Sequence, residues 1–224
     1  MGSIANDPGG GDDVNPPGGR VVSDAGRAYG RIFVISGPSG VGKDTIKNRL
    51  RESGFRLGFC VTATTRPPRS GEEHGRDYLF MSDAEFRTKL DSGQFIEHAV
   101  VHGKYLYGIP IEGLRAGMRS GDDVLVTPDV KGAATLRALI PNAISIFLAP
   151  ASLEELKLRI ADPRSGRLED LEQRMRTAAA EMRRMGEFDY IVVNENGKLD
   201  ESIEAVKAII TAERLRVKPR RVVL

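Results

Sequence analysis

Short apolar runs and longer amphipathic segments alternate along most of the chain. The apolar runs are rich in β-branched residues and predict strands at residues 31–36, 58–63, 123–127, 143–148 and 189–193. Segments with helical spacing follow them and predict helices near residues 45–50, 128–139, 152–161, 168–185 and 200–215. Continuous apolar strands that alternate with helices are typical of a parallel sheet covered on both faces. The pattern therefore predicts an α/β fold, with a parallel sheet flanked by helices.

The block between residues 62 and 121 interrupts this alternation, because its elements are short, mixed and separated by turns. In order, the sequence predicts a proline-containing polar segment, a strand at 78–81, a helix at 82–90, a β-prone stretch at 95–101, a loop at 103–108 and a helix over about 110–121. Ser82 and Glu85 have the spacing of a capping box at the start of the first helix. An irregular unit between two regular ones indicates an inserted domain.

The turn after the first strand carries a phosphate-binding motif. Its glycines allow consecutive backbone N–H groups to face inward, and the helix that follows adds partial positive charge at its N-terminus. Lys43 supplies an ammonium group for the β- and γ-phosphates of a nucleotide. The strand, loop and helix order makes the motif specific. The predicted nucleotide-binding residues are Gly37, Pro38, Ser39, Gly40, Val41, Gly42, Lys43, Asp44 and Thr45.

Asp44 departs from this motif, in which Ser or Thr normally offers a hydroxyl to Mg²⁺. A carboxylate at this position can hold Mg²⁺ directly or through a water molecule. A carboxylate is also favourable at a helix N-terminus for structural reasons alone. We predict Asp44 as the metal ligand, and the helix-end account remains the alternative.

Two features of the inserted block indicate a second anionic ligand. Arg66 and Arg69 lie three residues apart on a segment stiffened by prolines, where two guanidinium groups can converge on one phosphate. Glu97 lies within an otherwise apolar strand. A carboxylate in that position is most often on the solvent face of the sheet. The residues by themselves leave open whether Glu97 binds a ligand.

The composition excludes several classes of protein. Lys and Arg number 33 and Asp and Glu 31, so the net charge of +2 supplies no strong overall field toward nucleic acid or membranes. Cys60 is the single cysteine and excludes a disulfide framework; a buried structural thiol is expected. No apolar run approaches the length of a membrane span. We therefore expect a cytoplasmic protein that binds small molecules, not nucleic acid or membrane.

Taken together, six segments resemble the guanylate kinase family. They are 37–45, 62–72 (Thr-Ala-Thr-Thr-Arg-Pro-Pro-Arg-Ser-Gly-Glu), 75–78 (Gly-Arg-Asp-Tyr), 95–97 (Phe-Ile-Glu), 129–132 (Asp-Val-Lys-Gly) and 189–194 (Asp-Tyr-Ile-Val-Val-Asn). The resemblance covers about residues 30–210. It implies a P-loop NTPase of the nucleoside monophosphate kinase type, which transfers the γ-phosphoryl group of ATP to GMP with Mg²⁺. It also implies a monomer or homodimer whose partners are the substrates GMP and ATP.

The resemblance also implies a domain organisation. A guanylate kinase-like domain at residues 30–215 lies between a disordered N-terminal tail, 1–29, and a basic C-terminal tail, 216–224, which we expect to be solvated. Within that domain, the core consists of residues 30–60, 122–150 and 186–215, the GMP-binding insert of residues 61–121 and the lid of residues 151–185.

The resemblance assigns roles to individual residues. It implies that the acceptor phosphate is held by Arg66, Arg69, Tyr78 and Tyr107, and that guanine is recognised by Thr62, Glu97 and Asp129. It implies that the donor phosphates meet the lid residues Arg159, Arg164, Arg167 and Arg174, with Lys43, Arg159 and Arg174 as the catalytic group and Asn194 near adenine. The loop at 104–107 is one residue longer than in the common family pattern. Tyr105 therefore remains an alternative to Tyr107.

Two other functions compete with this prediction. A related enzyme that phosphorylates a sugar phosphate such as ribose bisphosphate also tends to carry Gly-Lys-Asp, but it lacks the full Thr-Thr-Arg-Pro-Pro-Arg segment. A non-catalytic guanylate kinase-like module that binds phosphorylated proteins typically loses the lysine of the phosphate loop. This sequence has both features, which favours the kinase that acts on GMP.

Overall fold

The computed structural model describes residues 29–69, 71–101, 104–119, 123–161 and 171–224. Its strands are β1 (Tyr29–Gly30), β2 (Ile32–Ser36), β3 (Gly58–Phe59), β4 (Ala63–Thr64), β5 (Leu79–Phe80), β6 (Phe95–Val101), β7 (Tyr105–Pro110), β8 (Val124–Val126), β9 (Ile144–Ala149), β10 (Tyr190–Val193) and β11 (Val222–Val223). Its helices are α1 (Lys43–Glu52), α2 (Asp83–Asp91), α3 (Ile111–Arg119), α4 (Val130–Leu139), α5 (Leu153–Ala161), α6 (Leu171–Met182) and α7 (Leu199–Arg214). A short 3-10 turn follows α6 at Met185–Glu187.

The centre of the fold is a five-stranded parallel sheet in the order β10-β9-β2-β8-β3. Every residue of β2 is buried, and successive residues face opposite sides of the sheet. Phe33 and Ile35 belong to the core that contains apolar residues of α1 and α7. Ile32 and Val34 belong to the core that contains residues of α3 and α4. The predicted fold class is confirmed, since helices cover both faces of a parallel sheet.

The strand order places a ligand site at the carboxyl end of β2. The chain passes from β2 to β3 on one side of the sheet, and later from β8 across to β9 on the other side. A parallel sheet opens a crevice where its connections diverge in this way, and ligands bind there. The phosphate-binding motif is the loop that leaves β2 at this point.

A second, four-stranded sheet in the order β5-β4-β7-β6 forms the inserted block. The stacked rings of Phe86 and Phe95, with centroids 4.5 Å apart, form part of its small core. The predicted loop at 103–108 is wrong from Tyr105 onward, because β7 pairs antiparallel with both β4 and β6. The composition of this segment favours turns, but hydrogen bonding to a strand on each side satisfies its backbone N–H and C=O groups and stabilises the extended form.

The predicted strand at 58–63 divides into two short strands in different sheets. Gly58–Phe59 forms the edge of the central sheet, and Ala63–Thr64 pairs within the second sheet. One apolar run therefore connects the two sheets. Periodicity cannot show this division, because both short strands are buried or half-buried and apolar in character.

The basic C-terminal segment returns to the body of the protein at its end. Strand β11 pairs antiparallel with β1, and Val222 is buried. The Arg220 guanidinium donates to Asp189 at 2.7 Å and to the fully buried Glu213 at 2.9 Å. The expectation of a solvated end is wrong for Arg220 and Val222, whereas residues 215–219 are exposed. The predicted N-terminal tail lies outside the described residues up to residue 28.

None of the helices in the described ranges combines the length and the apolar character that crossing a bilayer requires.

Candidate active site

A cavity of about 610 Å³ lies between the loop that follows β2 and the face of the second sheet. Fifteen of the predicted site residues line it: Ser39, Gly40, Gly42, Lys43, Asp44, Thr45, Thr62, Arg66, Arg69, Tyr78, Glu97, Tyr107, Asp129, Arg159 and Arg174. Gly37, Pro38, Val41 and Asn194 lie beside the cavity in the loop or behind it, while Arg164 and Arg167 lie outside the described residues. Residues far apart in the chain thus share one space.

The phosphate loop leads directly into α1, whose first residue is Lys43. Gly37, Gly40 and Gly42 all have positive φ, as expected for a loop whose backbone N–H groups converge. The Lys43 ammonium donates to the carbonyl oxygens of Gly37 at 2.6 Å and Pro38 at 3.1 Å. The lysine therefore lies folded across the loop, at the position where the β- and γ-phosphates of a nucleotide are expected.

Arg159 and Asn194 brace the back of the phosphate loop. Arg159 donates to the carbonyl oxygens of Val41 at 3.2 Å and Asn194 at 2.8 Å, and it also pairs with Glu155. The Asn194 side chain is buried and donates to the Val41 carbonyl at 2.8 Å. Asn194 thus contacts the loop and is not part of the cavity wall. In this structure it supports the donor site from behind.

Arg174 is a buried guanidinium that reaches the cavity from α6. It donates to the Ile160 carbonyl at 3.0 Å, which connects the last turn of α5 to α6. A buried arginine at a cavity that also contains the phosphate loop is suited to neutralising phosphate charge. Arg159 and Arg174 therefore present two cations on the donor side.

Arg66, Tyr78 and Tyr107 form a compact cluster on the acceptor side. Arg66 is 7% exposed and donates to the Tyr107 hydroxyl at 3.1 Å. Its guanidinium lies 5.3 Å from the centroid of the Tyr78 ring, which packs edge-on against Tyr107. Tyr105 also lines the cavity, but its ring contacts the ammonium of Lys104. Tyr107, and not Tyr105, is therefore the tyrosine whose hydroxyl contacts Arg66.

Glu72 holds the Arg66 guanidinium and the backbone at Arg69, a role that the sequence does not reveal. One carboxylate oxygen accepts from Arg66 at 2.8 Å, and the other accepts from the backbone N–H of Arg69 at 2.7 Å. The Glu72 carboxylate thus connects the Arg66 guanidinium to the backbone at Arg69 through one charge-assisted hydrogen bond to each. In the sequence, Glu72 is marked only as the last residue of the segment 62–72.

Glu97 also lines the cavity and is 5% exposed, so it is not on a solvent face. The pairing of β6 with β7 shifts register between Phe95 and Glu97, and such an irregularity changes the direction in which the side chains of a strand point. Glu97 follows this irregularity. Its Oε1 atom has no hydrogen-bond partner among the described residues. Burial, and then the nearby charge of Asp129, raise the pKa of Glu97 to about 7. An unpaired buried carboxylate is costly, and a ligand that donates hydrogen bonds would relieve that cost.

Gly132 provides the space that Glu97 occupies. It ends the segment 129–132, but the sequence by itself predicts no role for it. A Cβ atom at position 132 would lie 2.9 Å from Glu97 Oε1 and 3.0 Å from Cδ. The backbone N–H of Gly132 donates to Asp129 Oδ1 at 2.7 Å, which caps α4. The absence of a side chain at residue 132 thus lets the carboxylate lie against the first turn of α4.

Replacing Gly132 with alanine tests this packing. Alanine favours a helix by about 1 kcal/mol over glycine, so a purely local effect would stabilise the protein. We expect Gly132→Ala instead to displace the Glu97 carboxylate and to raise the KM for the acceptor nucleotide about tenfold, with the donor KM unchanged. Gly186→Ala is the control, because a Cβ there meets no atom within 4 Å. Equal acceptor KM values in the two variants would contradict the role of Gly132.

Glu181 is another cavity residue that the sequence does not single out. Burial raises the pKa of its carboxyl group, which also accepts a hydrogen bond from the backbone N–H of Ser39 and lies near the charge of Lys43. Its spacing on α6 is that of an ordinary surface glutamate. Only the packing of α6 beside the phosphate loop brings it to the site.

The metal prediction depends on Asp44. Among the described residues, no group of three or more His, Cys, Asp or Glu could hold a metal ion. Magnesium bound with a nucleotide needs few protein ligands, because phosphate oxygens and water complete its shell. The Asp44 side chain is 55% exposed at the cavity, so its carboxylate is accessible beside the phosphate loop. This donor fits a nucleotide-bound Mg²⁺.

Comparisons with known proteins agree with this geometry. The guanylate kinase family model matches residues 29–213. The chain is 43% identical over 192 residues to guanylate kinase 2, chloroplastic/mitochondrial, of Oryza sativa subsp. japonica, covering 85% of this chain and 67% of that protein. It is 38% identical over 189 residues to the guanylate kinase of Syntrophomonas wolfei subsp. wolfei, covering 84% of this chain and 95% of that protein.

A solved structure with the same architecture is that of the guanylate kinase from Anaplasma phagocytophilum. It superposes with a TM-score of 0.70 at 31% sequence identity, and the match covers 87% of this chain and 91% of that one.

Proposed function

Because the chain belongs to the guanylate kinase family, we propose that it transfers the γ-phosphoryl group of ATP to GMP and releases ADP and GDP. The donor nucleotide binds at the phosphate loop, and the acceptor binds between the arginine cluster and Glu97. We further propose the predicted division into a core, a GMP-binding insert at 61–121 and a lid at 151–185. The second sheet, which contains Arg66, Tyr107 and Glu97, supports that division.

The observation that carries this proposal is the unpaired carboxylate of Glu97. Guanine presents the N1–H and the 2-amino group as two adjacent donors, which match the two oxygens of one carboxylate. Adenine has no such pair on that edge. Thr62 and Asp129 line the same cavity as Glu97, and their hydroxyl and carboxylate groups can complete base recognition.

The remaining residues suit in-line transfer between two phosphates. Arg66, Tyr78 and Tyr107 form a cluster of donors for the acceptor phosphate. Phosphoryl transfer goes through a loose transition state with charge on the equatorial oxygens, and the protein contributes positioning and neutralisation. Lys43 and the two buried or half-buried arginines of α5 and α6, Arg159 and Arg174, supply positive charge on the donor side. No covalent nucleophile is needed.

An assay of ADP formation with different acceptors tests the proposal. With ATP and Mg²⁺ present, we expect rapid ADP release with GMP and at least about a hundredfold lower kcat/KM with AMP or UMP. Ribose bisphosphate should be inactive as an acceptor. If ribose bisphosphate were the preferred acceptor, or if no acceptor gave ADP above the ATP hydrolysis background, the proposed function would be wrong.

We propose Mg²⁺ as the metal and Asp44 as its protein ligand, with the Thr45 hydroxyl beside it. When bound, Mg²⁺ neutralises charge on the donor phosphates and orients them. Asp44 would otherwise repel those phosphates, since it carries a full negative charge at the loop. With Mg²⁺ between the Asp44 carboxylate and the phosphates, an aspartate in place of the usual Ser or Thr is compatible with ATP binding.

The Mg²⁺ dependence of the rate tests the role of Asp44. We expect Asp44→Asn, at saturating GMP, to raise the Mg²⁺ concentration for half-maximal rate about tenfold, because a charged ligand is lost. Asp44→Ser should keep most of the activity, because it restores the usual hydroxyl of the motif. An Asp44→Asn enzyme with the wild-type Mg²⁺ dependence would leave only stabilisation of the helix N-terminus as the role of this carboxylate.

A further inference from the structure

Lys47 is a buried lysine that contacts two residues of the cavity wall, Asp44 and Tyr78. It is 4% exposed, although it lies on the same helix as the phosphate-loop residues Lys43 and Asp44. A buried ammonium is costly unless it is paired. The contacts of Lys47 come from both sides: Asp44 beside the phosphate loop, and Asp77 with Tyr78 in the segment that leads into β5.

All of these contacts are long. Lys47 Nζ lies 3.4 Å from Asp44 Oδ1, 3.5 Å from the Asp77 carbonyl oxygen and 5.3 Å from the centroid of the Tyr78 ring. Well-formed hydrogen bonds of an ammonium with an oxygen are about 2.7–2.9 Å. The Lys47 ammonium is therefore shared between the two sides and held closely by neither.

Tyr78 is shared in the same way. Its hydroxyl lies 3.5 Å from each of the two carboxylate oxygens of Asp44, while its ring packs against Tyr107 and the Arg66 guanidinium. The Asp44 carboxylate thus competes with the acceptor side for two groups, the Lys47 ammonium and the Tyr78 hydroxyl. A ligand that binds the Asp44 carboxylate would therefore free the Lys47 ammonium and the Tyr78 hydroxyl to interact with groups on the acceptor side.

We propose that Asp44 and Lys47 couple the two substrate sites, an inference that rests on the proposed function. With its carboxylate engaged by the Mg²⁺ of a donor complex, Asp44 would no longer pair with Lys47, whose ammonium would then hydrogen-bond to the Asp77 carbonyl and stay over the Tyr78 ring. The Tyr78 hydroxyl then donates to the acceptor phosphate. Lys47 is a positioning residue, which touches neither substrate. Because coupling between two sites is reciprocal, GMP also tightens the binding of the donor.

Binding of GMP, measured by calorimetry, tests this coupling without turnover. GMP is titrated into the full-length protein alone, and then in the presence of Mg²⁺ with a saturating non-hydrolysable ATP analogue. In the wild type, we expect the analogue to lower the Kd for GMP about fivefold or more, within the usual range of coupling between sites. In Lys47→Met, which keeps the length of the side chain without its charge, the ratio of the two Kd values should fall to about one.

Arg49→Met is the matched control, because it removes a charge from the same helix. Arg49 pairs with the exposed Asp200, and it is not part of the cavity wall. This variant should keep the wild-type ratio. A general weakening of the fold by Lys47→Met would change both Kd values together and leave their ratio unchanged, which would contradict the inference.

Asp44→Asn tests the same coupling by changing the partner of Lys47. It replaces the Lys47→Met test if that variant does not fold. Because Asp44 is half exposed, the fold should tolerate the change. The ratio should again fall to about one, and Lys47→Met combined with Asp44→Asn should lower it no further. A wild-type ratio of one, or a ratio retained in Asp44→Asn, overturns the coupling. A wild type that binds no GMP in either titration refutes the proposed function itself.

Discussion

Glu97→Gln is expected to lower kcat/KM for GMP about a hundredfold or more, the scale on which sites built from hydrogen bonds discriminate. Glutamine keeps the shape but replaces one acceptor oxygen with an amide donor, which faces a donor of guanine. Residue 97 is 5% exposed, so water does not repair the mismatch. The KM for ATP should stay within about twofold, since the neighbours of the Glu97 carboxylate are Gly132 and Asp129 and not residues of the phosphate loop. Steady-state kinetics with GMP and AMP measure both effects.

The pH dependence gives an independent readout of the same residue. With a pKa near 7, Glu97 of the free enzyme is largely protonated at pH 6, and GMP must bind the carboxylate form. Binding therefore releases a proton, and the Kd for GMP should be about tenfold higher at pH 6 than at pH 8. The phosphate of GMP also titrates, near pH 6. In Glu97→Gln, the pH dependence of the Kd that comes from the GMP phosphate should remain, and the part that comes from residue 97 should be lost.

Glu112→Gln is the matched control for the amide substitution, because Glu112 lies exposed on α3 and pairs with Arg119. It should leave both substrates unaffected. If Glu97→Gln retained the wild-type efficiency with GMP, or the same steepness of pH dependence, Glu97 would not recognise guanine.

Arg66→Lys is expected to lower kcat/KM for GMP by about a hundredfold, although the charge is kept. The Arg66 guanidinium donates in three directions, to Tyr107 at 3.1 Å, to Glu72 at 2.8 Å and to the Pro67 carbonyl at 2.7 Å. A lysine ammonium is a point charge that cannot reproduce this fork. Glu72 would then lose the partner that fixes it, and the donors for the acceptor phosphate would separate.

Arg76→Lys serves as the control, because Arg76 lies in the same inserted block but is half exposed and pairs with Asp77 and Glu73. It should change GMP kinetics by no more than about twofold. Direct binding of the ATP analogue separates the two sites. If Arg66→Lys weakened binding of the analogue and spared GMP, the arginine would belong to the donor site.

The alternation of apolar runs with amphipathic segments was sufficient to predict the central sheet, its covering helices and the phosphate loop. These features depend on local pattern. A fully buried strand such as β2 must be apolar except where a side chain finds a hydrogen-bond partner, as the Ser36 hydroxyl does in the Pro128 carbonyl. A loop that gathers backbone N–H groups needs its glycines and Lys43 at fixed spacing. The identity of the second site came instead from the resemblance of segments such as 62–72 to one family.

Tertiary structure decided what local pattern cannot express, namely which distant residues meet. The side of the sheet on which Glu97 lies follows from the register of β6 with β7, and the space for its carboxylate follows from Gly132 on α4. Lys47 and Glu181 have the spacing of ordinary helix residues. Only packing against other segments brings Glu181 into the cavity wall and Lys47 into contact with Asp44 and Tyr78, which line it. A periodicity describes one element, whereas burial and pairing depend on contacts between elements far apart in the chain.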